Sequence, residues 1–268
     1  MKWARFAYQG QPHYGLLNSA TIQLTSHTWP DVLAGKPVSF AGEVAQDAVT
    51  LLNPIGRPGK IVCVGLNYLD HCRETNTPPP ERPLLFAKFP TCINDPTGTI
   101  TWSHTLTQEV DFEAELAVII GQTCRHVSED DALNFVAGYT AANDVSARDL
   151  QLGDGQWIRG KGLDTFCPLG PLFVTADEIP DPQKLAIRAV LNDQVMQNSN
   201  TKEMIFSVAQ LIAFCSQAFT LEAGDVLLTG TPHGVGLGRE PQIYMQDGDL
   251  IVVEIEGIGR LENRCQVI

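Results

Sequence analysis

The chain has 268 residues, a hydrophobic content of 44% and a formal net charge of −13 at neutral pH. This length can bury a large core, and the acidity disfavours nucleic acid and anionic membranes as partners, because both require a basic protein surface. No stretch reaches the roughly 18 apolar residues of a membrane span, and the N-terminus lacks the apolar region of a signal peptide. We therefore expect a cytoplasmic, soluble protein.

The seven cysteines are odd in number and are never spaced as Cys-x-x-Cys. This pattern favours reduced, mostly buried thiols over a disulfide framework or a zinc site. Cys72 follows His71 directly, but adjacent residues on a helix point apart, which disfavours a Cys–His nucleophile.

The first fifty residues contain short runs typical of strands, at residues 2–8, 13–17 and 21–24. The segment 53–59 is rich in Pro and Gly and predicts a boundary. We therefore divide the chain into a small β-rich N-terminal module, residues 1–55, and a catalytic domain, residues 56–268.

The second part contains more predicted strands than helices. The pattern predicts strands at residues 61–65, 84–88, 110–120, 226–229, 250–255 and 259–267. It predicts a short helix at 68–74 and longer helices at 128–139 and 201–219. Ser128 and Asp131 form a predicted capping box at the start of the helix at 128–139. Two substantial helices are too few for a strict alternation of strands and helices, so we expect an α+β, mainly β fold.

Strict alternation at residues 110–120 places Asp111, Glu113 and Glu115 on one face of the predicted strand. In a partly desolvated site such carboxylates repel one another unless a cation intervenes, although a solvated outer face explains the same pattern. Asp144, in a dense polar run, is the natural third ligand beside Glu113 and Glu115. Carboxylate oxygens prefer hard cations, so we expect Mg²⁺ or Mn²⁺, with Ca²⁺ as a substitute.

Two further groups of residues carry potential chemistry. His71 and Glu74 stand three apart on a predicted helical turn, where the carboxylate would orient the imidazole as a general base, although such a pair is also common on surfaces. Lys161 lies between glycines that leave its ammonium free to meet an anion, unless it is an ordinary solvent-exposed lysine.

The glycine-rich segment 230–236 lacks the Walker spacing, and the chain also lacks the dinucleotide fingerprint. We therefore expect no organic cofactor. The same loop could offer backbone N–H groups to a substrate carboxylate.

Taken together, these residues resemble the fumarylacetoacetate hydrolase family. The resemblance runs from about residue 60 to the C-terminus and rests on ordered motifs. These are Val64 to Tyr68 followed by His71 and Glu74, Asp111 to Leu116, Asn143 to Gln151, Lys161 to Thr165, and Leu228 to Pro232.

The resemblance implies a mixed β-roll core of the family's C-terminal type, usually in a homodimer, with Glu113, Glu115 and Asp144 as ligands of one Mg²⁺ or Mn²⁺. Asp111 matches a motif but is not among these ligands. The resemblance places Arg148, Gln151, Lys161 and Thr231 against substrate, with Lys161 also at the reacting centre. It makes His71 and Glu74 the dyad that activates water.

The family's substrates share a 2-oxo acid or its enol, a small anion that can chelate the cation. The leading hypothesis is hydrolysis of a carbon–carbon bond in an acylpyruvate such as fumarylpyruvate, because the dyad is present. The alternatives are decarboxylation of an oxaloacetate-like 2-oxo acid and isomerisation of 2-hydroxyhepta-2,4-diene-1,7-dioate. A different class of function also stays open, in which a catalytically silent protein uses the cation only to brace its fold.

Overall fold

The computed structural model describes residues 1–268 in nineteen strands and six helices. The strands are β1 (Lys2–Tyr8), β2 (Gln11–Asn18), β3 (Thr21–Thr25), β4 (Phe40–Ala45), β5 (Thr50–Leu52), β6 (Ile61–Gly65), β7 (Leu84–Lys88), β8 (Ile93–Asn94), β9 (Ile100–Trp102), β10 (Val110–Asp111), β11 (Ala114–Ile120), β12 (Val136–Asn143), β13 (Ser146–Ala147), β14 (Cys167–Thr175), β15 (Ala186–Leu191), β16 (Gln194–Asn200), β17 (Val226–Leu228), β18 (Leu250–Ile255) and β19 (Gly259–Val267). The helices are α1 (Trp29–Leu33), α2 (Leu69–Glu74), α3 (Glu129–Ala132), α4 (Arg148–Gly153), α5 (Ile158–Lys161) and α6 (Val208–Ala218).

Most strands belong to two mixed sheets. Twelve strands form the larger sheet, with the path β4-β3-β2-β1-β14-β12-β11-β17-β6-β7 and with β5 and β8 paired at its side. Five strands form the smaller sheet, in the order β16-β15-β18-β19-β9. The fold is therefore α+β and mainly β, as predicted.

Strand β11 lies at the centre of the molecule and is buried along its whole length. Leu116 and Val118 pack into the core shared with the smaller sheet, whereas Ala117 and Ile119 pack into a second core on the opposite face. A strand covered on both faces needs apolar side chains at nearly every position. Glu113, just before the strand, and Glu115, within it, are therefore exceptions to the apolar pattern.

The N-terminal strands at residues 2–8, 13–17 and 21–24 are confirmed by β1, β2 and β3. Strand β1 continues the larger sheet, because Lys2 pairs with Val174 of β14 in an antiparallel ladder. The division into parts at residue 55 stays a prediction. No helix has the length and apolarity needed to cross a membrane.

The predicted helix at 128–139 is confirmed only up to Phe135 and is wrong over its last four residues. The Ser128 side chain accepts a hydrogen bond from the Asp131 amide and caps helix α3, which has four residues. The chain then becomes strand β12 at Val136. Gly138 allows this strand to pair closely with β14, since a Cβ atom there would lie 2.1 Å from the Val174 carbonyl oxygen. Pairing on both edges of β12 overrides the local helical pattern.

The predicted helix at 201–219 is too long at its start. Helix α6 begins at Val208, after the capping box formed by Ser207 and Gln210. The preceding residues are held by Asn67, whose carbonyl oxygens accept hydrogen bonds from the backbone amides of Ile205 and Phe206. These contacts from another part of the chain replace the first turns of the expected helix.

Candidate active site and metal centre

Three carboxylates converge where β11 begins and β12 ends. Ala114 pairs with Asn143 and Glu115 with Ala142 in this ladder, so Glu113 and Asp144 follow directly beyond its end. Each residue offers an oxygen within 4.8 Å of the others, and all three side chains are buried. The backbone of Glu113 holds the two chain segments together at this point. Its amide donates a hydrogen bond to the Asn143 side chain, and its carbonyl accepts one from the Asp144 amide.

The continuous strand predicted at 110–120 is interrupted. Strand β10 ends at Asp111, and the ladder resumes only at Ala114. The solvated-face alternative is wrong because Asp111, Glu113 and Glu115 are all buried. Asp111 lies apart from the three converging carboxylates and accepts hydrogen bonds from the Gly236 amide at 2.7 Å and the Arg148 Nε atom at 2.8 Å.

Lys161 differs most from its sequence-based description. It lies in helix α5 and is 1% exposed, neither in a loop nor free in solvent. Its ammonium donates to Glu113 Oε2 at 2.7 Å and to Asp144 Oδ2 at 2.8 Å. The amine therefore lies among the carboxylates that the sequence assigns to the metal.

Two more cations contact the same cluster. Arg148 contacts Glu113 Oε1 at 2.7 Å and donates from Nη1 to Gln151 Oε1 at 2.9 Å. Lys88 is fully buried behind Asp144 and donates to its Oδ1 atom at 2.5 Å and to the Val145 carbonyl at 3.1 Å. Lys88 was missed in the sequence because it closes an ordinary strand pattern and belongs to none of the polar runs.

The charges of this cluster do not balance. Asp111, Glu113, Glu115 and Asp144 face Lys88, Arg148 and Lys161, so one negative charge is left over when all are ionised. Glu115 is the carboxylate without a cationic hydrogen-bond partner, since its side chain accepts from the Gly230 amide at 2.8 Å.

The two glutamates respond to this environment in opposite directions. Burial raises the pKa of Glu115 well above its usual value near 4.5, and the neighbouring Asp144 and Glu113 carboxylates add to the shift. Burial also opposes ionisation of Glu113, but Lys161 and Arg148 outweigh it and lower the pKa of Glu113 to about 2.

The donor set fits a hard divalent cation. The three carboxylates have oxygen atoms within 4.8 Å of one another, and a cation bound between them would compensate the excess negative charge. The hydroxyl of Tyr68 is buried without a hydrogen-bond partner. Burial is the main cause that raises the pKa of this phenol, and the negative charge of Glu115 raises it further. An unpaired polar atom beside the cluster is consistent with a hydrated ion in this position.

His71 and Glu74 form a hydrogen-bonded pair on α2, with 3.0 Å between Nδ1 and Glu74 Oε2. Burial opposes ionisation of Glu74, but the hydrogen bonds from His71 and the Gly234 amide lower its pKa. With Nδ1 donating to the carboxylate, the neutral ring has an acceptor at Nε2. The surface-pair alternative is disfavoured because both side chains are mostly buried.

A cavity of about 170 Å³ joins these groups. Its lining includes residues of the dyad, the carboxylate cluster and the polar set assigned to substrate, namely His71, Glu113, Arg148, Gln151, Lys161 and Thr231. Thr231 is held in place by donation of its hydroxyl to the Ala114 carbonyl at 3.0 Å. Six of the nine site residues named from the sequence thus line one small space. Glu74 does not line the cavity but contacts His71, and Glu115 and Asp144 do not line it but lie within 4.8 Å of Glu113.

The comparisons with known proteins agree with this geometry. Residues 60–266 match the family model for the fumarylacetoacetate hydrolase C-terminal domain. The chain belongs to the fumarylacetoacetate hydrolase family. Residues 1–54 match a second model, the Rv2993c-like N-terminal family.

Similar sequences and structures extend over most or all of the chain. A mitochondrial oxaloacetate tautomerase of Bos taurus is 49% identical over 81% of this chain and 69% of its own length. A fumarylacetoacetate hydrolase of Exiguobacterium antarcticum has a TM-score of 0.91 and 39% identity, with both chains covered completely. A 2-hydroxyhepta-2,4-diene-1,7-dioate isomerase of Mycobacterium marinum has a TM-score of 0.85 and 36% identity over 100% of this chain and 98% of its own.

Proposed function

We propose that this family member is a divalent-metal-dependent enzyme that moves a proton between carbon and oxygen of an enolisable 2-oxo acid. The first reaction to test is the keto–enol interconversion of oxaloacetate. This proposal places one of the alternatives, isomerisation, ahead of acylpyruvate hydrolysis.

One observation carries the proposal: His71, which is hydrogen-bonded to Glu74, lines the same cavity as Glu113 and Lys161. A base that is oriented by a carboxylate and faces a cation-binding cluster is the arrangement needed to remove a proton beside a carbonyl group. The bovine relative and the M. marinum structure, whose names describe a tautomerase and an isomerase, support the same class of reaction.

Glu113, Glu115 and Asp144 would hold the ion, for which we propose Mg²⁺ or Mn²⁺. A divalent cation bound there supplies Lewis-acid stabilisation to the oxygen of an enolate. Arg148 and Lys161 would bind and orient the carboxylate groups of the anion, since they are the cationic donors of the inner lining. Thr231, whose hydroxyl already donates to the Ala114 carbonyl, would shape the same part of the lining.

His71 would carry the proton. In the keto form its Nε2 atom takes a proton from carbon 3, the electron pair of that C–H bond forms the double bond between carbons 2 and 3, and the carbonyl pair moves onto the 2-oxo oxygen. That oxygen then takes the proton from the His71 imidazolium, which gives the enol and regenerates the neutral ring. Glu74 fixes the ring tautomer and stabilises the imidazolium that forms. The reverse sequence returns the ketone.

The dyad also favours hydrolysis of an acylpyruvate as a second candidate, because the same His71 could deprotonate a water that attacks the remote carbonyl. In that reaction the bond between carbons 3 and 4 breaks and the enol of pyruvate leaves. Decarboxylation of oxaloacetate needs no activated water and releases carbon dioxide together with the enol of pyruvate.

Three assays separate these reactions, each run with Mn²⁺ and with chelator. Loss of the enol absorbance of oxaloacetate measures tautomerisation, a coupled assay for pyruvate measures decarboxylation, and proton NMR of fumarylpyruvate measures formation of fumarate and pyruvate. We expect metal-dependent loss of enol that is faster than pyruvate release. Fumarylpyruvate cleavage without any effect on oxaloacetate would contradict the proposal and favour the hydrolase.

We also propose a homodimer, to be tested by light scattering on the purified protein. A monomer at working concentration would contradict this part. Cytoplasmic localisation likewise stays a proposal, to be tested by cell fractionation.

A further inference from the structure

The two ends of the cavity differ in exposure and in chemistry. The inner end consists of the buried polar side chains of Glu113, Arg148, Gln151, Lys161 and Thr231. The outer end is apolar and partly exposed, and Leu152 at its mouth is 61% exposed. The other apolar side chains of this outer end are Leu66, Phe86, Trp157 and Leu237.

Aromatic packing fixes the outer wall close to the reacting centre. The centroid of the Phe86 ring lies 5.2 Å from Lys161 Nζ and 5.2 Å from the centroid of the Trp157 ring, with an interplanar angle of 64° between the two rings. Gly65 lies under Trp157, since a Cβ atom there would approach the indole to 2.6 Å. The apolar wall therefore begins one aromatic ring away from the ammonium of Lys161.

The outer end offers no cation to a ligand. The arginine and lysine that line the cavity, Arg148 and Lys161, are both paired with acids at the inner end. Near the outer end Thr75 and Thr77 present hydroxyl groups, but both donate to backbone carbonyls of α2 and its C-terminus. A carboxylate placed there would lose hydration without gaining a partner.

We propose that this outer end selects an uncharged tail. The inference rests on the proposed function and narrows its substrate class. The preferred substrates are 2-oxo acids whose negative charges all lie at the inner end of the cavity. They are either short dioates such as oxaloacetate or longer monocarboxylic acids with an apolar tail. Longer dioates with a remote carboxylate are discriminated against, because that carboxylate would lie against Trp157, Leu152 and Leu237.

Two acids of equal length test this inference. 2,4-Dioxoheptanoate ends in a methyl group, whereas 2,4-dioxoheptanedioate carries a second carboxylate at the same position. Titration calorimetry of the Mn²⁺-loaded protein should show at least about tenfold tighter binding of the monocarboxylate, equivalent to about 1.4 kcal/mol. Equal affinity, or tighter binding of the dioate, would overturn the inference.

A charge-introducing variant supplies the second arm. Leu152→Arg places a cation at the exposed mouth and should shift the affinity ratio toward the dioate by at least about tenfold. The matched control Leu133→Arg adds the same charge at an exposed leucine outside the cavity and should leave the ratio unchanged. An unchanged ratio in Leu152→Arg would count against the inference.

Binding of oxalate distinguishes failure of this inference from failure of the proposed function, because oxalate has no tail. If oxalate binds and the two dioxo acids do not differ, the selection of tails is wrong while the proposed function stands. If neither oxalate nor either dioxo acid binds, the proposed function fails and this inference fails with it.

Discussion

Gln197 donates a hydrogen bond from its Nε2 atom to the hydroxyl oxygen of Thr231, at a distance of 2.8 Å. The same amide donates to the Pro232 carbonyl at 2.8 Å and accepts from the Ala114 amide at 2.9 Å. Gln197 is fully buried and belongs to β16 of the smaller sheet. One side chain thus joins that sheet to the strand of the carboxylate cluster and to the loop that lines the cavity.

Replacement of this amide should damage both stability and substrate binding. Gln197→Met keeps the approximate size of the side chain but leaves the Ala114 amide and the Pro232 carbonyl without a partner. We expect the free energy of unfolding to fall by about 2 kcal/mol or more, because each unsatisfied buried group costs roughly 1–3 kcal/mol. We also expect KM to rise more than kcat falls, since Thr231 loses its orientation.

Urea denaturation and steady-state kinetics measure these two effects. Gln194→Met, at an exposed position of the same strand, is the matched control and should change neither quantity appreciably. Wild-type stability in Gln197→Met would show that the three hydrogen bonds do not hold the loop in solution.

The sequence predicts elements well where the local pattern and the tertiary context agree. The runs at 61–65, 84–88 and 259–267 are bounded by turn residues, and each forms a strand with the expected limits. The segment at 136–139 fails because its fate depends on two neighbouring strands that lie far away in the sequence. Helix propensity is a weak preference that such pairing overrides.

In the candidate site, too, some residues could be predicted from the local sequence and others could not. Glu113, Glu115 and Asp144 were recognisable because they belong to dense acidic or polar motifs. Lys88 and Gln197 were not, since each is a single polar residue in an otherwise ordinary strand. Only the packing of distant strands reveals that Lys88 faces Asp144 and that Gln197 faces Thr231.

Metal removal should lower stability as well as activity. An ion that binds only the folded state at one hundred times its Kd adds about 2.7 kcal/mol to the free energy of unfolding. Thermal or urea unfolding with Mn²⁺ and with chelator measures this difference, and Asp144→Asn should abolish it. If the metal stabilises the protein while no 2-oxo acid binds or turns over, the catalytically silent alternative is correct.

Glu115 should impose a pH dependence on the metal-free protein. The folded state holds this proton more tightly than the unfolded chain does, because burial and neighbouring carboxylates raise the pKa of Glu115. The contribution of Glu115 to stability is therefore complete below its usual pKa near 4.5 and is lost as pH rises through the raised value.

The variant Glu115→Gln tests the direction of this pH dependence of stability. Between about pH 5 and pH 8 the metal-free variant should lose less stability than the metal-free wild type. Glu129→Gln removes an exposed carboxylate and controls for the change in net charge. A steeper loss in Glu115→Gln than in the wild type would show that the carboxylate is stabilised as an anion in the fold.

His71 is expected to act on protons and not on the cation. His71→Ala should lower turnover by about 10²–10⁴-fold, the range typical of a lost general base, while Mn²⁺ affinity stays within a few-fold. Kinetics and calorimetry on the same preparation measure the two effects. His104→Ala, at an exposed site, serves as control, and parallel loss of metal and activity in His71→Ala would refute the assigned role.

Gly65→Ala should displace the indole that forms the outer wall of the cavity. The added methyl group would lie 2.6 Å and 2.9 Å from two ring carbons of Trp157, so the ring must move. We expect a loss of about 1–3 kcal/mol in the free energy of unfolding, as for other overpacked sites, and a shift in tryptophan fluorescence. Gly153→Ala adds the same methyl group where nothing lies within 4 Å and should leave the fluorescence unchanged. Our proposal places Trp157 against the substrate tail, so Gly65→Ala should weaken binding of 2,4-dioxoheptanoate more than binding of oxalate. An equal effect on both acids would place Trp157 at the inner end of the cavity instead.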